Sequence, residues 1–462
     1  MAAAELTLGT FRDPAGSLRI AGDRVLREVR RGHADAAMRF LQSPAAQEWV
    51  AQGRLIPTRI LREESNTLTL EHPRVFFPSY PWEWTPSAWV AAADLTLDLC
   101  EELLDHGLIL KDATPLNVLF QGTQPILVDV LSIEERDPAS PLWLAYAQFV
   151  RTFLLPLAAY VSLGWPLAAS MQNRDGYEPA DLAPHLSRWQ RWREPFRSLV
   201  TLPLMLESSG SESAHNTRVQ QQPAAAMRLL RGNLGQLRRH LRRIEKRMSR
   251  RRVASRWSGY ASNADHYSPG DQESKRRFVE EALTAVAPRS VLDLGANSGV
   301  YSRVAAACGA TVVAWDTDVQ ATEENFRKAQ QRDLQIAPIL ANPARPTPSA
   351  GWRNSESLSL LDRSRGRFDC VMMLGLIHHL LLSEQIPLGE ILGLLRELTA
   401  GWAIVEWVPA SDPRFADLLR GRDELYRHLD EAAFLRAAER HFTVVIREAL
   451  PNGRVLFALQ GR

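Results

Sequence analysis

From Ser290 onward, short apolar runs alternate with mixed stretches of helical character. The runs are SVLDL at 290–294, TVVAW at 311–315, QIAPIL at 335–340, RFDCVMM at 367–373 and WAIVEWVP at 402–409. Val291, Leu292 and Leu294 suit a strand buried on both faces, and the alternation with helices predicts a parallel sheet. FTVVIREALPNGRVLFAL (442–459) reads as two more strands joined through Pro451-Asn452-Gly453, a hairpin-type turn. The first half differs. Strand-like pieces at Ser17–Ile20, Val25–Val29 and Thr67–Leu70 and a short helix at Ala34–Leu41 precede mostly helical sequence, an α+β pattern.

The clearest seam is SSGSESAHNTRVQQQPAAA, from Ser208 to Ala226, polar and nearly free of large apolar residues. After it, Met227, Leu230, Leu234, Leu237, Leu241, Ile244 and Met248 follow a 3-4 spacing that places them on one helix face. Between Arg228 and Arg256 there are twelve Lys/Arg and one acid, Glu245. The first reading of this segment is an amphipathic connector whose stripe packs on its own protein; the alternative is a surface for RNA, a phosphorylated carrier or lipid headgroups. The expected organisation is therefore 1–206 (small lobe about 1–80), a linker at 207–226, a basic helix at 227–256 and an α/β domain at 257–462.

A length of 462 residues suits two domains, and 45% hydrophobic with 23% charged residues is the balance of a globular protein. The net charge of +2 excludes a strongly polyanionic partner for the whole molecule. Cys100, Cys308 and Cys370 lack metal-ligand spacing and read as buried hydrophobes in a reducing compartment. Thr152 to Asn173 carries no charge, but Pro156, Gly164 and Pro166 favour two short buried helices over a membrane span. No secretory signal is visible, so the expected location is cytoplasmic.

SVLDLGANSGVYS (290–302) is a strand entering a glycine-rich turn and then a helix. Gly295 and Gly299 let the backbone turn sharply and approach a ligand, and such a crevice at the first strand's carboxyl end is where a cofactor lies. The G-x-x-x-G spacing resembles the class I S-adenosylmethionine-dependent methyltransferase signature more than a dinucleotide fingerprint. Asp316, at the end of the second strand about twenty residues on, suits the ribose hydroxyls, with Asp318 as the fallback. Seven strands with a terminal hairpin, a Rossmann-like order, complete the pattern. The resemblance implies S-adenosylmethionine bound by Asp293, Gly295, Ala296, Asn297, Gly299, Asp316, Leu374 and, against the adenine, Asn342.

NPARPTPSAGW (342–352), RFDCVMMLGLIHHL, IPLGEIL and VEWVPASDPRF resemble a bacterial group of NoeA-like methyltransferases. The likeness extends upstream through PSYPWEWTPSAW (78–89) and LKDATPLNVLF (110–120). It implies methyl transfer and a cytoplasmic location, and it leaves the acceptor open. Methyl transfer needs in-line positioning, plus a base only where the acceptor is protonated and weakly acidic. His378 and His379 are the candidate bases, at most one of them acting, because neighbouring side chains point apart. Glu406 is a candidate for orienting the acceptor or for supporting the residues that do, Tyr260 and Tyr267 for closing over the cofactor or equally for packing in the core, and Lys275 for a surface ion pair.

LILKDATPLNVLFQGTQPILVDVLS (108–132) carries a second pattern. Asp112, Asn117 and Asp129 match the spacing of the catalytic loop and metal-binding aspartate in kinase-like folds, and Ala88–His106 suits the helix leading into that loop. In those folds the first Asp orients a hydroxyl, while Asn117 and Asp129 would hold Mg²⁺ on ATP phosphates. Three features depart from it: Leu110-Lys111 precede Asp112 in place of histidine, Val130 follows Asp129 in place of glycine, and no lysine occurs before Lys111. Arg24 or Arg27 would have to substitute. The expectation is a degenerate kinase-like lobe that binds acceptor or nucleotide, with Mg-ATP ranked below S-adenosylmethionine as a ligand. A methyltransferase acting on a small-molecule or natural-product acceptor ranks first, ahead of a bifunctional phosphotransferase–methyltransferase and of a nucleic-acid-associated enzyme using the basic helix.

Overall fold

The computed structural model describes residues 6–7, 15–208, 221–250, 269–419 and 421–462, which fall into two units, Met1–Val253 and Ala254–Arg462. In the first, β1 (Leu6–Thr7), β2 (Gly16–Ala21), β3 (Arg24–Arg30), β4 (Arg59–Glu63) and β5 (Thr67–Pro73) form an antiparallel sheet in the order β1-β2-β3-β5-β4. Helices Asp35–Leu41 and Pro44–Ala51 lie between β3 and β4 in the chain. The Pro86–Leu103 helix begins at Thr85, whose hydroxyl accepts from the Ala88 N–H at 3.3 Å. It leads to β6 (Leu108–Leu110), which pairs with β9 (Ile133–Glu135) around the hairpin of β7 (Val118–Gln121) and β8 (Gln124–Leu127).

The uncharged 152–173 stretch forms helix Leu155–Leu163, ended by Gly164 at φ +79°, and a 3-10 segment Leu167–Gln172. Among the described residues no helix is long and apolar enough to cross a membrane. The basic segment is a helix from Pro223 to Met248; 251–256 and the middle of the presumed linker, 209–220, lie outside the described residues. Its stripe packs against the Pro86–Leu103 and Leu155–Leu163 helices, with Leu230, Leu234, Leu237, Leu241 and Ile244 at most 1% exposed. Arg238 reaches Asp98 at 2.7 Å and Glu101 at 3.1 Å, Arg242 reaches Asp94 at 3.2 Å, and Arg231 pairs with Asp105. Each buried leucine contributes roughly 1.5–3 kcal/mol and each part-exposed ion pair about 0–1 kcal/mol. Apolar burial thus holds the helix, and the arginines select its register.

The second unit is a seven-stranded sheet: β10 (Ser290–Leu294), β11 (Thr311–Asp316), β12 (Ile336–Leu340), β13 (Phe368–Met373), β14 (Thr399–Trp407), β15 (Phe442–Ala449) and β16 (Val455–Gly461). The order is β12-β11-β10-β13-β14-β16-β15, parallel from β12 to β14 and antiparallel at β16 and β15. Leu294 aligns with Trp315 on one side and Met373 on the other, so β10, β11 and β13 end at one edge. Strand order reverses between β10 and β13, the switch point at which open α/β sheets leave a crevice. Phe278, Val279, Ala282 and Leu283 of helix Pro269–Val286 pack with Val291, Val312 and Ile404 in the core beside it.

Candidate active site

At the end of β10 the chain turns through Gly295 (φ +73°) and Asn297 (φ +49°) to Gly299 (φ +75°), which begins helix Val300–Ala307. A Cβ on Gly299 would stand 2.0 Å from Asn325 Oδ1, so both φ and space demand glycine there. The Gly295 and Ala296 N–H groups donate to the Trp315 carbonyl at 2.9 and 3.0 Å, and that of Asn297 donates to Asp316 Oδ2 at 2.7 Å. The other Asp316 oxygen accepts from the Asp318 N–H at 2.8 Å. Asp318 caps the next helix, accepting from the Gln320 and Ala321 N–H groups. Burial raises the Asp316 carboxyl pKa above the usual range, and the amide donors oppose that rise.

Asp293, 2% exposed on β10, accepts from the Ser302 hydroxyl at 2.6 Å, and burial pushes its pKa up to about 6. Asn342, two residues past β12, is half-buried and accepts from the Ala344 N–H at 2.9 Å. Leu374, just past β13, is 8% exposed, and a Cβ on the following Gly375 (φ +71°) would lie 3.6 Å from Glu406 Oε2.

Lys275 departs from expectation. It is buried rather than on the surface, because it shares a helix face with Phe278, Val279 and Ala282, which pack into the core. Its ammonium donates to Glu406 Oε2 at 2.6 Å and sits 4.9 Å from the centre of the Tyr301 ring. Glu406, 0% exposed on β14, also meets Arg454 Nη1 at 3.5 Å, and Arg454 donates through Nε to Asp412 Oδ2 at 2.7 Å. Burial lowers the Lys275 pKa while Glu406 pulls it back. Lys275, Tyr301, Glu406, Arg454 and Asp412 thus form one buried network. Arg454 and Asp412 carried no sequence signal, since an arginine after a Pro-Asn-Gly turn looks like a surface residue.

His378 and His379 lie in helix Ile377–Leu382, just beyond β13. Their ring centres are 4.2 Å apart. His378 is 0% exposed and neither ring nitrogen has a hydrogen-bond partner. Burial, with the neighbouring His379, pushes its pKa down to about 2. His379 is half-buried, its pKa pushed down to about 4 by burial and by Arg454 and Arg414. Tyr260 and Tyr267 lie outside the described residues.

A family described as a methyltransferase domain matches residues 266–452, a span that holds Lys275, Tyr301, Glu406 and Asp412 of this network and ends two residues before Arg454. Nodulation protein NoeA of Rhizobium meliloti (strain 1021) is 30% identical over 465 residues, covering 96% of this chain and 94% of its own. The chain belongs to the NoeA family of class I S-adenosylmethionine-dependent methyltransferases. Solved structures similar to this NoeA-family chain include magnesium protoporphyrin IX methyltransferase of Synechocystis PCC 6803 with bound S-adenosylhomocysteine, at 17% identity and TM-score 0.31, covering 44% of this chain and 95% of its own. Another is the bifunctional kinase-methyltransferase WbdD, at 17% identity and TM-score 0.31, covering 42% of this chain and 40% of its own. As a NoeA-family enzyme the protein uses S-adenosylmethionine as methyl donor. The Gly295–Gly299 turn at the sheet's switch point, with the Asp316 carboxylate held beside it by the Asn297 N–H, fits such a cofactor.

Proposed function

We propose that this enzyme methylates a small-molecule acceptor held beyond the ends of β13 and β14. The observation that carries the reading is the Asn297–Asp316 hydrogen bond, which fixes a carboxylate beside the glycine turn at the sheet's switch point. When bound, S-adenosylmethionine supplies a sulfonium methyl group open to in-line attack. Gly295, Ala296, Asn297 and Gly299 present backbone to it, and Asp316 accepts ribose hydroxyls on lone pairs its two amide donors leave. Asn342 and Leu374 flank the adenine, and Asp293 steadies the turn through Ser302. Glu406 acts through Lys275 and Arg454 rather than on the acceptor. Both histidines are neutral near pH 7 and are weak bases, so the half-buried His379 serves to orient the acceptor by hydrogen bonding. A cytoplasmic location belongs to the same proposal, in keeping with three free cysteines.

The test is thermal stability with S-adenosylmethionine and S-adenosylhomocysteine for wild type and Asp316→Ala. Wild type should shift upward with both, and Asp316→Ala should lose most of the shift at equal ligand concentration. No shift of the wild type with either ligand would remove the basis for the site.

A second reading concerns the first unit. The β6–β9 and β7–β8 pairs flank the Asp112–Asn117 loop and Asp129, and β3 carries Arg27 where kinase-like folds carry their ATP lysine. We read the unit as kinase-like and as a scaffold that holds the acceptor. Supporting this, a cavity of about 900 Å³ is lined by His33, Arg39, Gln42, Lys111 and Glu134. Nucleic-acid binding through the basic helix is disfavoured, since Arg231, Arg238 and Arg242 pair with acids of the same unit.

A further inference from the structure

A kinase-like reading of the first unit implies Mg-ATP, and the residues present do not fit the metal. Arg27 Nη1 lies 2.5 Å from Asp129 Oδ1, with the two side chains 12% and 22% exposed. A guanidinium therefore holds the carboxylate a divalent ion would need. The chain after Asp129 is fixed as well: Val130, Leu131 and Ser132 form a 3-10 turn at most 2% exposed, and the Ser132 hydroxyl donates to the Asp129 carbonyl at 2.7 Å. Asp112 is engaged from the other side by the Gln148 amide at 3.4 Å. Asn117 sits next to this pair, its carbonyl accepting from the Val128 N–H at 2.9 Å, and its side-chain Nδ2 is buried without a partner. Among the described residues no group of three or more His, Cys, Asp or Glu side chains is arranged to hold a metal.

We infer that Arg27 has taken the place of the divalent cation at Asp129, so that the first unit works as a metal-free binding site and not as a phosphotransferase. The inference rests on the kinase-like reading of that unit. It also follows from the charges. One fixed positive group on Asp129 supplies the neutralisation that Mg²⁺ supplies elsewhere, and a metal could bind only by displacing a part-buried, hydrogen-bonded partner. With one carboxylate oxygen held by a guanidinium, a metal bridging the phosphates of a nucleotide would have to compete with a fixed positive charge at the same group.

The test is Mn²⁺ binding to the full-length protein, read by the electron paramagnetic resonance signal of the free ion. Wild type, Arg27→Gln, Arg27→Lys, Arg27→Gln/Asp129→Asn and Arg27→Gln/Asn117→Ala are compared, with the first unit's own melting transition, the one that does not respond to S-adenosylhomocysteine, as the check that each is folded. Arg27→Gln should gain Mn²⁺ affinity over wild type by about tenfold or more. Arg27→Lys, which keeps the cation, should gain little, and the added Asp129→Asn change should abolish the gain. Wild type binding Mn²⁺ as tightly as Arg27→Gln would overturn the inference while leaving the kinase-like reading intact, if that binding needs Asp129 and Asn117. A gain in Arg27→Gln that needs Asp129 but not Asn117 supports the replacement and removes the kinase-like reading. Folded Arg27→Gln with no gain overturns the inference.

Discussion

Replacing His378 by leucine should stabilise the second unit. The side chain is 0% exposed and both ring nitrogens lack partners, so the folded state carries an uncompensated desolvation cost of about 1–3 kcal/mol that leucine does not. A second contribution depends on pH. The folded-state pKa is about 2, against 6.5 for an ordinary exposed imidazole. Between those values the unfolded chain binds the extra proton, so stability falls as pH drops below 6.5. At pH 5, about 1.5 units below the unfolded value, this amounts to about 2 kcal/mol, and because pH 5 is far above the folded pKa the result barely depends on its depth. The expected advantage of His378→Leu is therefore about 1–3 kcal/mol at pH 7.5 and about 2 kcal/mol more at pH 5. For a unit of roughly 200 residues the added increment is a melting difference of about 4–8 °C. Calorimetry at pH 5.0, 6.0 and 7.5 measures it, with the second unit's transition identified by its response to S-adenosylhomocysteine. Asp293, whose pKa of about 6 stabilises toward acid, is common to both proteins and cancels in the difference. A melting difference that does not change with pH, or a destabilised variant at pH 7.5, would refute the reasoning.

Two further outcomes concern the same unit. Lys275→Met leaves Glu406 buried with Arg454 3.5 Å away, and should cost about 3–5 kcal/mol in the same transition; Lys275→Met/Glu406→Gln should recover much of it, and a change within about 0.5 kcal/mol would count against a structural pair. Gly299→Ala combines a φ of +75° with a contact to Asn325 Oδ1, so it should cost about 1–3 kcal/mol and weaken S-adenosylhomocysteine binding by calorimetric titration; adding Asn325→Ala should relieve only the contact.

The sheet was readable because its central strands are buried on both faces, leaving apolar runs that sequence alone can order, and because Gly295, Gly299 and Asp316 sit at fixed offsets along it. The histidines were readable as a pair but not in environment: their lowered pKa values come first from burial in the folded unit and then in part from Arg454 and Arg414, far along the chain. Lys275 was misplaced for a physical reason. Its neighbours Glu273, Arg276 and Arg277 are exposed and charged, and only placing it one turn before Phe278 and Val279 reveals the inward face. In the first unit the Asp112, Asn117 and Asp129 spacing was visible, whereas the Arg27–Asp129 pair joins residues 102 apart and depends on how β3 folds over the loop.

The way the Pro223–Met248 helix is seated determines where this chain can be divided. Its leucines are packed into the first unit and its arginines answer Asp94, Asp98 and Glu101 there. A fragment ending near residue 253 keeps that helix with its partner. One ending at residue 222 strips an apolar strip from the Pro86–Leu103 helix and leaves three carboxylates facing one another, a surface prone to self-association. Any exchange of the methyltransferase for another catalytic module would therefore break the chain after the helix, and the arginine-rich segment would be inherited with the N-terminal half.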